Sequence, residues 1–347
     1  NAKKVNKNFL SLKLPFYPIN LSASYSCICF IKNIVLVNRI LLLLLSLFGY
    51  SVMAQNSVII EKGKRLDSLM SMFHSNYDAV EQKTDELYHI LNTKYTTNEH
   101  NDFLIKVMLH KVGLYLLKEE FDKALKIAFE ALDKAKEYNL RENEYRSNLI
   151  IAMTYEIAED YVLCKKHLDE AYKIYTNHHL DSVYSIYCIR ISSYYRLTNR
   201  LDSALHFADE GLDYAQRYNN SREIIDAYML LGMLLKNNYR ESVEYSLLAA
   251  RKFIERKDYL SAATQFSNAS LTLYEHKHMD QAFMYNDSAL SLVNRSKTGG
   301  YSFIYRNRSK LFEAVGNIDS AHYYFQKFHN MYLNELEKIG KNEIKKI

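Results

Sequence analysis

The sequence predicts an all-α fold: a solenoid of about six helical hairpins, with an N-terminal helical cap and a C-terminal exit helix. Three observations carry this. The segment EFDKALKIAFEALDKA (120–135) returns in changed form as NRLDSALHFADEGLDYA (199–215), HMDQAFMYNDSALSLV (278–293) and NIDSAHYYFQKF (317–328), and self-similarity at a fixed period is the signature of a repeat architecture. Both prolines, Pro15 and Pro18, precede residue 54 and glycines are few, so long uninterrupted helices are allowed throughout the rest. No stretch carries the alternating pattern of a strand.

Aligning on the small residue of each segment gives Ala124, Cys164, Ala204, Ser242, Ala282 and Ala321, a step of 38 to 40 residues. Seven positions later stand Ala131, Ala171, Gly211, Ala249 and Ala289, with Phe328 in the last unit. Nine positions before the small residue, or seven in the fourth unit, a preceding helix offers Tyr115, Tyr155, Tyr195, Leu235, Leu273 and Phe312. A short polar turn separates the two, so each unit reads as a helical hairpin. Small residues on the second helix let the first approach closely, and the bulky residue at the turn fills the gap. One hairpin cannot bury its apolar stripe, whereas stacked hairpins bury it against both neighbours. The fourth unit is short because the turn before Tyr239 has two residues fewer; Gly232 then takes the place held by Ala152 and Ser192 in their units.

The repeats occupy residues 99–332. Before them, residues 55–98 show helical periodicity through Leu66, Leu69, Met70, Phe73, Val80, Leu87 and Ile90 without the small-residue signature, the expectation for a capping helix pair. After them, residues 333–347 place Leu333, Leu336, Ile339, Ile344 and Ile347 among alternating charges, a protruding exit helix.

Charge and apolar runs divide the chain unequally. Of the 45 basic residues, six fall in residues 1–54, which hold no acid. The net charge of +5 therefore belongs to the leader, and the near-neutral remainder has no basic face for phosphates, so no nucleic-acid contact is expected. Residues 38–54, NRILLLLLSLFGYSVMA, combine a basic start, a leucine-rich core and small residues at Val52 and Ala54, as a secretory signal does. The core is too short for a comfortable membrane span. Cleavage before Gln55 is the expectation, with export to the periplasm; an uncleaved anchor that includes Ile34–Val37, or translation from Met53 and a cytoplasmic protein, are the alternatives. Residues 1–37 read as an upstream leader segment, since the first methionine is Met53.

Catalytic signals are scarce. The chain has no phosphate-binding loop, no HExxH and no nucleophile elbow, and neither a cofactor nor a metal is expected. His276, His278 and Asp280 cluster at one turn and His178-His179 at another, short of the converging ligands a metal needs. Cys164 and Cys188 read as small buried apolar residues, with a disulfide between them as the alternative after export.

The IAMTY run (Ile151–Tyr155), the EEFDKAL and GNIDSA turns and the small-residue positions resemble the tetratricopeptide repeat family over roughly residues 99–330. The period near forty, the absence of tryptophan and the absence of closing prolines depart from that family and imply longer helices or longer links. The resemblance implies a right-handed superhelix whose first helices line a concave face. Tyr184, Tyr187, Tyr194 and Tyr305 are the candidate binding residues there, since tyrosine suits an extended peptide or partner helix, although core or rim packing is the safer reading for any one of them. An export signal, such an array and a charged exit helix together resemble the periplasmic halves of bacterial membrane sensor kinases, of Bacteroidetes type. This implies a non-catalytic sensory region binding a protein or peptide, linked to the membrane only through a downstream span leading to a histidine kinase or helix-turn-helix module. A homodimer would suit such a sensor. A stand-alone periplasmic scaffold is the alternative.

Overall fold

The computed structural model describes residues 77–94, 98–293 and 301–344. Among them stand thirteen helices: α1 (Tyr77–Lys94), α2 (Asn98–Leu117), α3 (Phe121–Glu137), α4 (Arg141–Ile157), α5 (Tyr161–His178), α6 (Tyr184–Leu197), α7 (Leu201–Arg217), α8 (Ser221–Leu234), α9 (Tyr239–Glu255), α10 (Tyr259–Glu275), α11 (Met279–Val293), α12 (Ser302–Ala314) and α13 (Ile318–Ile344). From α2 onward they pair as six hairpins, α2/α3 to α12/α13, and each second helix also packs on the next unit's first helix. The all-α solenoid expected from the repeat is the fold observed. Helix α1 packs on α2 through Val80, Leu87 and Leu91; the start of the cap, and the leader with its signal segment 38–54, lie outside the described residues. Helix α13 runs unbroken through position 333, so the exit segment continues the last second helix.

The turns explain the period. Left-handed backbone recurs at Glu119, Asn139, Glu159, His179, Asn199 and Asn219, every twenty residues, and again at Lys257, Lys277 and Gly316. At each first-to-second-helix turn with this residue, the amide one position beyond it closes a six-residue loop onto a helix carbonyl. Glu120 bonds Tyr115, Asp160 bonds Tyr155, Arg200 bonds Tyr195, His278 bonds Leu273 and Asn317 bonds Phe312, at 2.8–2.9 Å. This is the Schellman stop, and the bulky turn residues are the ones whose carbonyls it uses. The residue that donates then begins the next helix; Asp160, Asp258 and Asn317 also accept a side-chain cap bond from Leu163, Ser261 and Ser320. A helix of about seventeen residues and a three-residue turn make half a unit, hence the period near forty. In the fourth unit Leu235 instead accepts from Asn238, which accounts for the two missing residues.

Most of these left-handed positions are not glycine, and each carries a Cβ penalty. Glu159→Gly and Lys257→Gly are each expected to raise stability by about 0.5–1 kcal/mol, the relief of strain exceeding the entropy that glycine adds to the unfolded chain. The check is the urea midpoint at unchanged slope, and an unmoved or lowered midpoint would contradict the strain.

The small residues set the hairpin spacing. Ala124, Cys164, Ala204, Ser242, Ala282 and Ala321 are all buried, as are Ala131, Ala171, Gly211, Ala249 and Ala289. Phe328 is half-buried and stacks on Tyr332. Backbones come close enough for a first-helix serine to donate to the carbonyl of the small residue: Ser192 to Ala204, Ser270 to Ala282 and Ser309 to Ala321, at 2.6–2.8 Å. The fourth unit inverts this bond, Ser242 donating to the Gly232 carbonyl at 2.7 Å. A Cβ on Gly232 would lie 3.3 Å from the Ser242 carbonyl oxygen, and one on Gly211 only 3.0 Å from the Cys188 Cβ.

Candidate functional site

First helices touch one another from unit to unit, α2 with α4, α4 with α6, α6 with α8 and α10 with α12, whereas the second helices make their main contacts with first helices. The stack therefore curves with its first helices inward. Burial follows: α5 and α7 bury a narrow stripe each, while α4 and α6 are buried on most sides. Polar residues of the first helices accordingly become polar groups shielded within the inner layer.

Oppositely charged side chains four residues apart, which share a helix face, stand at one place on successive first helices. Lys106 pairs with Asp102 at 2.7 Å on α2, and Arg146 with Glu142 at 2.8 Å on α4. Asn143 of α4 donates to Asp102 at 2.8 Å, tying the first two units together. Unit three has Ser182 and Ile186 in these positions. In unit four the order is reversed, Arg222 preceding Asp226 on α8, and the two approach only to 3.3 Å with both side chains 6% exposed.

Charge converges on that reversed pair. Asp226 lies in the fields of Arg222, Arg190 of α6 and Arg256, yet burial raises its carboxyl. Glu223, beside it, is raised to about 7 by burial and by Asp226, against the pull of Arg146 and Arg222. Arg146 and Glu223 belong to first helices two units apart, so the network spans α4, α6 and α8. Several of its atoms are buried without a hydrogen-bond partner within the chain: Nε, Nη1 and Nη2 of Arg222, Oδ1 of Asp226 and, on α4 and α6, the hydroxyls of Ser147 and Ser185. Buried polar groups are nearly always bonded, and an arginine has five donors and stays charged.

The tyrosines named from the sequence divide into two pairs. Tyr184 and Tyr187 are each 5% exposed. Tyr184 stacks on Tyr175 at 4.0 Å and meets Tyr214 edge-on, and Tyr187 packs on Tyr172 and Phe207. Their partners lie on α5 and α7, so these rings fill the layer between helices and leave little surface to a partner. Tyr194 and Tyr305 are half-buried, against Tyr195 and Tyr324. At the turn positions Tyr115, Tyr155 and Tyr195 are half-buried as well, and His167 stacks on Tyr155. Cys164 and Cys188 are buried thiols of one apolar cluster; burial raises both, so neither is primed as a nucleophile. His276 and His278 pack at a tilt on Tyr239, and His276 Nε2 lies 2.9 Å from the Lys236 carbonyl, which joins two turns. Among the described residues no group of three His, Cys, Asp or Glu could hold a metal ion, and no helix is long and apolar enough to cross a membrane.

This architecture is that of tetratricopeptide-type helical repeat proteins. A STAND signal-transduction ATPase with a tetratricopeptide repeat sensor from Pyrococcus horikoshii superposes with a TM-score of 0.57 at 15% identity, over 91% of this chain and 55% of that one. The chain thus spans about half the length of that protein. A Rap protein complexed with competence and sporulation factor superposes with a TM-score of 0.56 at 13% identity, over 89% of this chain and 99% of that one. No family model and no curated protein matches the sequence.

Proposed function

We propose that this protein is a non-catalytic solenoid that binds a protein or peptide segment along the inner side of α4, α6 and α8. The observation that carries this is the set of buried donors and acceptors there that form no well-made hydrogen bond in the chain, the hydroxyls of Ser147 and Ser185 and the loosely paired Arg222 and Asp226. An extended peptide presents carbonyls and amides in alternation, the groups such a surface needs. The fold shared with a Rap protein complexed with competence and sporulation factor supports the reading. The test is selection of a random peptide library on the full chain, with hydrogen exchange to locate the binders. Protection of α4, α6 and α8 is expected; no binders, or protection confined to α3, α5 and α7, would refute it.

We further propose that the array is the exported sensory part of a membrane signalling protein, with an output module beyond residue 347. Its support is the signal-like segment 38–54 together with helix α13, which carries the last repeat on to Ile344. Binding on the first helices would bias α13 between two positions. Sequencing the gene across both ends and mapping the mature N-terminus tests this: a span followed by a kinase or DNA-binding module is expected. A stop codon after Ile347 would leave a periplasmic scaffold instead.

A further inference from the structure

We propose that α13 of one copy lies antiparallel on α13 of a second copy, which makes the C-terminal end of the solenoid a dimer interface. The inference is independent of the peptide-binding reading.

Position in the repeat is the first argument. Four residues after the small residue of each earlier unit, Ala128, Leu168, Ala208, Ser246 and Asn286 are all buried. This side of the second helix meets the next unit: Asn286 donates to the Ile304 carbonyl of α12, and Ala208 shares an apolar cluster with Leu230 and Leu231 of α8. The corresponding residue of α13 is Phe325, 50% exposed. Eleven residues after the small one, Phe253 and Val293 are buried in one cluster with residues of α10 and α12, and their counterpart is the half-buried Tyr332. A terminal repeat ordinarily turns a polar face outward. At the other end α1 does so, exposing chiefly polar residues, Gln82, Lys83, Glu86 and His89. The C-terminal end instead exposes Ile318, Phe325 and Leu333.

Length and period are the second. Helix α13 has 27 residues and its hairpin partner α12 has 13, so about 20 Å of α13 runs past the helix that supports it. A helix in water draws most of its stability from the packing of one face. Ile318, His322, Phe325, His329 and Tyr332, spaced by four and three, share a side of α13, and Leu336 and Ile339 continue the spacing in the sequence. That period of 3.5 belongs to helices packed along their length. Within the stripe the rings touch one another, Phe325 stacking on His329 and meeting Phe328 edge-on.

The choice of occupant is the third. In every earlier unit the helix that covers this side is the next first helix, which runs antiparallel to it across a short turn. An antiparallel α13 takes that place, and it continues the interface between units across a two-fold axis. A two-fold contact must be self-complementary, and the stripe is close to symmetric about His329. Phe325 stands four residues before it and Tyr332 three after, with His322 and Leu336 seven on either side. Phe325 of each copy then meets Tyr332 of the other. Seating one side of a helix about 40 Å long on its copy buries on the order of 1,200–1,600 Å² in total, the size of a stable interface.

Sedimentation velocity of the full chain at micromolar concentration tests this, and a dimer is expected. Phe325→Asp sets a charge in the apolar seam and is expected to raise the dissociation constant by about a hundredfold or more. Val162→Asp, at a side chain 80% exposed on α5, should leave it unchanged. Cysteine crosslinking reads the geometry and needs no disruptive change. His329→Cys should give a covalent dimer on mild oxidation, because the axis brings the two copies of that residue within disulfide reach. His322→Cys should not, since its two copies lie about 20 Å apart along the helices. These two variants decide the matter even if Phe325→Asp fails to fold. A monomeric chain, a dimer indifferent to Phe325→Asp, or crosslinking at position 322 and not at 329 overturns the proposal. A monomer that resists proteolysis at residues 325–333 would give the stripe to another segment of this chain, and one cut there would leave it to a different protein.

Discussion

Tyr145→Phe is expected to cost about 2 kcal/mol, the penalty for leaving buried backbone groups unbonded, and Tyr145→Ala about 4–5 kcal/mol once the lost ring is added. Tyr145 is fully buried on α4, and its hydroxyl works in the next unit. It donates to the Val183 carbonyl and accepts from the Tyr187 amide, both at 3.2 Å. Val183 ends the short turn Asp181–Val183 that leads into α6, and it supplies no side-chain cap of its own. The amides of a first helical turn have no partner within the helix, so a tyrosine of unit two caps the first helix of unit three. Stability in a stack of repeats is a sum of unit terms and nearest-neighbour terms, and Tyr145 belongs to the second kind. Urea unfolding of Tyr145→Phe should therefore show a lower midpoint and a broader transition, as units one and two separate from the rest. Hydrogen exchange at the Tyr187 amide should quicken beyond the global effect. If Tyr145→Phe unfolds at the wild-type midpoint with Tyr187 still protected, the hydroxyl is not the cap.

Repeat, hairpin pairing and small-residue contacts are legible in the sequence because they rest on residue size, and size is local information. Ala204 must be small whatever surrounds it. The half-period of twenty is legible too, in the polar Asn139, Asn199 and Asn219 and in Gly316, the residue types that tolerate left-handed backbone; aligning whole units conceals it. The inner site is harder to see. Asp102/Lys106 and Glu142/Arg146 look like ordinary surface pairs at helical spacing, and nothing local says that the first helices are buried on most sides. That burial comes from four neighbouring helices at once. The same cause moves Tyr184 and Tyr187: on an isolated α6 they are exposed aromatics, but between α5 and α7 they become core rings. The reversed order of Arg222 and Asp226 is the one mark of the site that the sequence carries plainly.

Glu223→Gln is expected to make the protein more stable at pH 8 by up to about 3 kcal/mol, from a shift of some 2.5 pH units at about 1.4 kcal/mol each. The carboxyl is raised from its ordinary 4.5 to about 7, first by burial and next by Asp226. Below pH 4.5 the folded and unfolded chains both hold the proton, and the group contributes no penalty. Between 4.5 and 7 the unfolded chain releases it while the folded chain keeps it, so stability falls as pH rises. Above 7 the folded chain must carry the ionised carboxylate, and the loss is complete. Glutamine cannot ionise, so the difference between variant and wild type should be near zero at pH 4, grow through this window and level off above it. The charged groups facing Glu223 are Arg146, which Glu142 also holds, and Arg222 and Asp226 on its own helix, with Arg190 and Arg256 beyond Asp226. Of these Asp226, also raised by burial, adds a slope of the same sign that both proteins share. The difference curve, from urea unfolding at half-unit steps of pH, therefore reports Glu223 together with its coupling to Asp226. A flat curve, or a variant less stable at pH 8, would mean that Arg146 and Arg222 hold Glu223 ionised in the folded state. A curve that rises through the window means that burial and Asp226 outweigh the pull of Arg146 and Arg222, and that the inner layer holds Glu223 as a neutral acid below pH 7.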